Sequence, residues 1–226
     1  MGAGGPTAAC DGIPGWPLTA QTTGAGATRD LAGAVATLCR PGDVVLLAGG
    51  LGAGKTTFAQ GFARGLGVTG PVTSPTFTLV RQYRYGPEQA GLLLHADVYR
   101  LETLAEVLDL GLVELVEDGA LALVEWGDVV EGLFGAHALT VSLVVGSGPG
   151  TGTEPGEPTS TEPGEPTSTE PGEPTSTEPG DETRLVVVEG GGDAWTDRRA
   201  RLAEVLAPFA PGATRAGGAA GAGEAS

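Results

Sequence analysis

The stretch Gly49-Gly50-Leu51-Gly52-Ala53-Gly54-Lys55-Thr56-Thr57 fits the phosphate-binding pattern G-x-x-x-x-G-K-[ST], and the rest of the chain is read outward from it. Asp43-Val44-Val45-Leu46-Leu47-Ala48 precedes it, an apolar run that reads as a buried parallel strand. Residues 55–66 follow it and read as a helix, with Phe58, Phe62 and Leu66 on the face toward the sheet. Strand, glycine loop and helix in that order are the context the pattern requires. Glycines let the backbone approach a polyphosphate without Cβ clashes. Successive N–H groups of Leu51, Gly52, Ala53, Gly54, Lys55, Thr56 and Thr57 then form a cradle, and the helix N-terminus adds positive potential. Lys55 is expected to reach the β/γ-phosphates and Thr56 to offer its hydroxyl to Mg²⁺. Of the 12 basic side chains 11 are arginine, and the one lysine is Lys55. A composition this averse to lysine places it where a compact ammonium suits phosphate better than a guanidinium.

Downstream, two apolar strands end in acids. Gly91-Leu92-Leu93-Leu94-His95-Ala96-Asp97 closes on Asp97, and Leu121-Ala122-Leu123-Val124-Glu125-Trp126 on Glu125. In an open parallel sheet ligands bind beyond the carboxyl ends of the strands, so Asp97 is expected at Mg²⁺, directly or through water. Its alternative role is to cap the strand end. Glu125 is expected to orient water or act as a base. Trp126 either packs beside the site or fills a hydrophobic gap. His95 reads as a packed residue, and Arg100 either meets a phosphate or pairs with an acid. The hydroxyl-rich loop Pro71–Val80 either senses a γ-phosphate or is an ordinary turn.

Farther out, residues 1–16 and 210–226 are Gly/Ala-rich and read as disordered ends of a single domain over 17–209. A short edge strand is expected at 17–21 and an amphipathic helix at 28–38. An edge-like strand is expected at 81–85, with short helical turns at 102–109 and 112–118. Strands at 137–145 and 184–190 read as an antiparallel pair at the sheet edge, and 195–209 as a final helix. Between that pair, the unit Thr-Glu-Pro-Gly-Glu-Pro-Thr-Ser occurs at 153–160, 161–168 and 169–176, and its first four residues recur at 177–180. Two prolines and no apolar side chain per unit cannot build a core, so 147–182 reads as a disordered acidic insertion. It serves as tether or solubiliser, or has no role. The fold class is α/β, a three-layer P-loop NTPase-like architecture with a central, mostly parallel sheet and an antiparallel edge hairpin.

The 226 residues suffice for one such domain. Aromatics are 5%, so Leu, Val and Ala must make the core. The net charge is −16, and without the nine acids of 147–182 it is still −7. That charge argues against direct, high-affinity nucleic-acid binding, which needs clustered Lys and Arg. Cys10 and Cys39 have neither metal nor redox spacing and fit a reducing cytoplasm. No signal segment or apolar run long enough for a membrane span is present.

Four segments in order are similar to one family: Gly49–Phe58, Thr73-Ser74-Pro75-Thr76-Phe77-Thr78-Leu79-Val80, His95-Ala96-Asp97-Val98-Tyr99-Arg100-Leu101 and Val124-Glu125-Trp126. The chain resembles the bacterial tRNA threonylcarbamoyladenosine biosynthesis ATPase family, TsaE or YjeE, over about 19–145 and more loosely 184–209. The glycine–lysine loop is common to many ATPases, and the ordered combination is specific. The resemblance implies a small cytoplasmic ATPase that binds ATP/ADP with Mg²⁺ and hydrolyses ATP weakly alone. It implies action with the TsaB and TsaD proteins in forming N6-threonylcarbamoyladenosine at position 37 of tRNAs reading ANN codons, with tRNA held mainly by those partners. TsaD, not the family member, transfers the carbamoyl group. On this resemblance Lys55 is the phosphate-binding lysine, Thr56 and Asp97 organise Mg²⁺, Glu125 is the functional glutamate, Trp126 stands beside the nucleotide, and Thr76 falls in a switch-like loop. Two departures stand out: Gly50, where the family has Asp, and the 153–180 repeat.

The expected mechanism is in-line attack of water on the γ-phosphate, with Lys55 and the loop N–H groups stabilising the transferring charge. No arginine in the sequence is an obvious finger for this site, which implies slow hydrolysis without a partner. The rival readings are a small-molecule kinase with the same loop and a nucleotide-gated binding module without turnover.

Overall fold

A computed structural model describes residues 15–75, 78–101, 103–127, 131–134, 138–146 and 182–213. The expectations for 1–14, Thr76, the 153–180 repeat and 214–226 lie outside the described residues.

Seven strands form one sheet: β1 (Leu18–Thr23), β2 (Val44–Ala48), β3 (Val80–Tyr85), β4 (Gly91–Asp97), β5 (Leu121–Glu125), β6 (Ala138–Val145) and β7 (Thr183–Gly190). Their spatial order is β1-β7-β6-β2-β5-β4-β3. The centre, β6-β2-β5-β4, is parallel. Antiparallel pairs flank it, β7 with β6 and β1 on one side and β3 with β4 on the other. The β6–β7 pair is antiparallel as expected, but it lies one strand in from the border because β1 covers β7.

The parallel strands are apolar on both faces because both are covered. On one face, α1 (Gly24–Ala36), α2 (Lys55–Leu66) and α6 (Gly192–Leu206) bury Leu31, Val35, Phe58, Phe62, Trp195 and Leu202 against Val45, Leu47, Leu93, Leu121 and Leu123. On the other, α3 (Leu104–Leu108), α4 (Leu112–Glu117) and α5 (Glu131–Phe134) cover Val44, Leu46, Leu94, Ala122 and Val124. No helix among the described residues is long and apolar enough to cross a membrane.

Several boundaries moved for physical reasons. Helix α1 starts at Gly24 rather than Thr28. Gly24 N–H donates to the Glu182 carbonyl (3.2 Å), and Thr28 Oγ1 hydrogen-bonds Thr22 (3.0 Å), so tertiary contacts hold a glycine-rich turn that propensity disfavours. Helix α6 starts three residues earlier than expected and ends at Leu206; Ala207–Phe209 continue as a 3₁₀ turn, because Pro208 lacks the N–H an α-helix needs. Glu106 completes a capping box with Thr103 at the start of α3. Helix α5 had no sequence signal strong enough to name.

Candidate functional site

The strand register builds the site. Leu47, Glu125 and Asp97 are directly aligned across β2, β5 and β4, so both acids stand level with the root of the glycine loop. Alternation along the strands points Leu121, Leu123 and Glu125 to the face covered by α2, and Leu93, His95 and Asp97 likewise. The parallel register therefore gathers both acids beside the start of α2.

The loop backbone is held in conformations that glycine permits. Gly52 and Gly54 lie at φ +77° and +105°. A Cβ on Gly49 would meet the Leu143 carbonyl of β6 at 2.5 Å, so the chain leaves β2 too close to its neighbour for any side chain. Gly54 is the N-cap of α2 and supplies no side-chain acceptor, and the first turn carries no acid. The leading N–H groups of this 12-residue helix are thus left for an acceptor from outside, which is the property that binds phosphate.

Lys55 is 6% exposed. Its ammonium donates to the carbonyls of Gly49 (2.8 Å) and Gly50 (2.9 Å) and sits 3.5 Å from the centroid of the Trp126 ring. It spans the mouth of the loop, parked on carbonyls and an aromatic face that a phosphate would replace. Trp126 also stacks obliquely on Tyr99, with ring centroids 4.6 Å apart. Its backbone is left-handed at φ +63°, as is that of Leu79 at φ +60°. Bulky residues rarely adopt this region. Trp126 directly follows Glu125, and the Leu79 carbonyl accepts from Asp97 N–H (2.9 Å), so each acid has one such residue beside it. Backbone of this kind clusters at functional sites.

Thr56 Oγ1 lies 3.1 Å from both carboxylate oxygens of Glu125, and His95 Nε2 lies 2.9 Å from Glu125 Oε1. Facing a carboxylate, His95 Nε2 is the protonated nitrogen and donates. Its Nδ1 is buried and has no hydrogen-bond partner among the described residues. Asp97 accepts from Ser74 Oγ (3.3 Å) and from Tyr99 N–H (3.2 Å). The structure thus brings Lys55, Thr56, Glu125 and Trp126 together, and places Asp97 one strand farther along the same rim. The carboxylate that touches Thr56 is Glu125.

The donor set suits Mg²⁺. A hydroxyl and two carboxylates, 3% and 7% exposed, offer hard oxygen ligands. Among the described residues no group of three His, Cys, Asp or Glu side chains forms a self-sufficient metal cage. That is the ordinary condition of Mg²⁺ sites completed by water and substrate phosphates.

Sequence reasoning treated His95 as a packing residue and found no arginine for the site. His95 is packed, at 0% exposure, and its partner is the Glu125 carboxylate. Arg184 reaches the loop itself, its Nε donating to the Ala53 carbonyl at 3.0 Å. A pairing 131 residues apart leaves no local signal. The i, i+2 spacing of His95 and Asp97 on one strand face was the available hint for the histidine.

With this geometry in place, comparison with known proteins is informative. The family model described as threonylcarbamoyl adenosine biosynthesis protein TsaE matches residues 22–148, more than half of the chain. The chain belongs to the TsaE family. The tRNA threonylcarbamoyladenosine biosynthesis protein TsaE of Bacillus subtilis strain 168 is 48% identical over 104 residues, covering 46% of this chain and 63% of that protein. The TsaE protein of Treponema pallidum is 41% identical over 111 residues, 49% of this chain and 79% of its own length. The chain therefore spans somewhat under two thirds of the first of these relatives. Among solved structures, Bacillus subtilis YdiB superposes with a TM-score of 0.55 at 28% identity, covering 85% of this chain and 95% of that one. This likeness reaches beyond the matched segment to include much of the second half of the TsaE-family chain.

Proposed function

We propose that this TsaE-family protein binds ATP and ADP with Mg²⁺, hydrolyses ATP slowly by itself, and supports N6-threonylcarbamoyladenosine formation at position 37 of tRNAs reading ANN codons. TsaD and TsaB proteins are its partners in this reading, and tRNA is engaged mainly through them. The observation that carries the proposal is the join of loop and acids: Lys55 spans the loop mouth while Thr56 meets Glu125 across the two central strands.

In this reading the N–H groups of residues 51–57 cradle the phosphates and Lys55 leaves the Gly49 and Gly50 carbonyls to neutralise the transferring charge. Thr56, Glu125 and Asp97 are the residues that would hold Mg²⁺, which when bound supplies charge neutralisation on the phosphates. Glu125 also orients the attacking water, and His95 fixes the angle of the Glu125 carboxylate. Trp126 forms a wall beside Lys55. The net charge of −16 supports a division of labour in which partners hold the tRNA.

Phosphate release from Mg·ATP tests this, measured alone and with TsaB, TsaD and tRNA, using Lys55→Ala as control. Stimulation by the partners that is lost in Lys55→Ala is the expected result. Failure to bind ADP or ATP would overturn the reading. A second reading, a nucleotide-gated binding module, draws on Gly50, which puts no carboxylate beside the phosphates. It predicts tight ADP and ATP binding with no stimulated release.

A further inference from the structure

Strand β7 brings one more side chain to the glycine loop. Val145 of β6 aligns with Arg184 of β7, and β6 runs parallel to β2, so the start of β7 lies at the same end of the sheet as the loop. Arg184 is 8% exposed. Its Nε donates to the Ala53 carbonyl (3.0 Å), one terminal nitrogen to the Glu182 carbonyl (3.0 Å), and the other to the Glu182 carboxylate (3.1 Å). A Cβ on Gly54 would stand 3.2 Å from Arg184 Nε, so the inner end of the guanidinium packs directly against the loop.

We propose that Arg184 is a positioning residue for the phosphate loop. A loop that turns its N–H groups inward turns carbonyls outward, and a buried carbonyl needs a donor. Ala53, at 2% exposure, is such a position, and Arg184 satisfies it. The planar fork does this while its other arm is fixed on Glu182, so the loop is tied to the start of β7 in addition to its own Ala53–Gly50 backbone bond. This inference rests on the nucleotide-binding reading of the loop, and it names a residue outside the family-matched segment 22–148.

The test compares Arg184→Met, which keeps an apolar stem of similar length without a donor, with Arg184→Lys. Two quantities are read: backbone amide exchange of residues 52–57 in nucleotide-free protein, and the ADP dissociation constant. Arg184→Met is expected to speed loop exchange about tenfold and weaken ADP about tenfold, the equivalent of one lost charged hydrogen bond. Exchange in the middle of β6 and β7 stays unchanged. Arg184→Lys recovers part of both losses. Wild-type exchange and affinity in Arg184→Met overturn the proposal, as does an equal speed-up throughout β6 and β7, which would mark a merely structural role. If Arg184→Met does not fold, wild-type values of both readouts in Arg184→Lys overturn it, because the fork is lost there. A wild-type protein that does not bind ADP defeats the nucleotide reading instead, while loop exchange still decides the role of Arg184.

Discussion

A buried bidentate ion pair lies at the opposite end of β2 from the loop, and its removal has a calculable effect. Arg198 of α6 is 4% exposed and forks onto Asp43, with nitrogen–oxygen distances of 2.5 and 2.8 Å. It also donates to the Leu38 carbonyl (3.0 Å) and lies 3.9 Å over the Trp195 ring. Among the described residues Asp43 otherwise accepts only the Arg40 N–H (2.6 Å). Arg198→Met therefore leaves a carboxylate that is 9% exposed with one backbone donor and no counter-charge. Breaking a buried pair from one side costs about 3–5 kcal/mol. At about 2–4 °C per kcal/mol for a domain of this size, the thermal midpoint falls by roughly 6–20 °C. Asp43→Asn together with Arg198→Met removes the stranded charge, so the double variant is expected to lose less than Arg198→Met alone, a non-additivity of about 2 kcal/mol or more. The hydrogen bond to Asp43 raises the Arg198 pKa above its ordinary value. A raised folded value keeps its stability contribution below the unfolded pKa, so it is constant through neutral pH and lost only in strong alkali. Urea unfolding of the four proteins at pH 7, with ADP affinity measured well below each midpoint, checks this. Arg198→Met losing under about 1 kcal/mol, or a double variant equal to the sum of the singles, would refute the reasoning. Affinity is expected to survive in all four, because the pair lies at the foot of β2 and the loop at its head.

Three other outcomes follow from particular contacts. Burial and the Asp43 carboxylate push the Cys39 thiol well above its ordinary 9.0, with Arg198 opposing them. The folded thiol stays neutral where the unfolded one ionises, so stability is full below pH 9 and falls above it, by up to about 1.4 kcal/mol per pH unit; urea midpoints between pH 8 and 10 should show this slope flattened in Cys39→Ala. A Cβ on Gly61 would collide with the Arg29 backbone where α1 crosses α2, whereas one on Gly26 meets open space. Gly61→Ala is expected to lose about 1–3 kcal/mol despite its better helix propensity, and Gly26→Ala to gain about 0.5–1, both read by chemical denaturation. Glu125→Gln keeps the shape at Thr56 and His95 but removes the charge. Partner-stimulated phosphate release should fall about 10²–10⁴-fold with little change in Mg²⁺-free ADP affinity; equal losses in both would reassign Glu125 to nucleotide binding.

What could be read from the chain was what lies contiguous in it. The loop, its strand and its helix occupy one stretch, and their periodicity and glycines carry the local physics, so 44–66 was legible almost to the residue. The acids at 97 and 125 were legible because each closes an apolar strand, and a parallel sheet then brings such ends together. The contact between Thr56 and Glu125 was not legible. Which carboxylate touches Thr56 depends on strand order, and β5, not β4, is the neighbour of β2. The early start of α1 and the brace from Arg184 depend on contacts to residues beyond the repeat, which no window of sequence contains. Gly50 shows where the two kinds of reading meet. The family resemblance marked it as a departure from Asp, one expected to alter loop rigidity or hydrolysis. A Cβ there meets nothing within 4 Å, and Gly50 is not among the loop glycines with positive φ, so nothing at the backbone demands glycine. Under the proposed function the departure is expected to act on charge rather than on backbone shape: Lys55, bonded to the Gly50 carbonyl at 2.9 Å, would meet a phosphate with one fewer anion beside it.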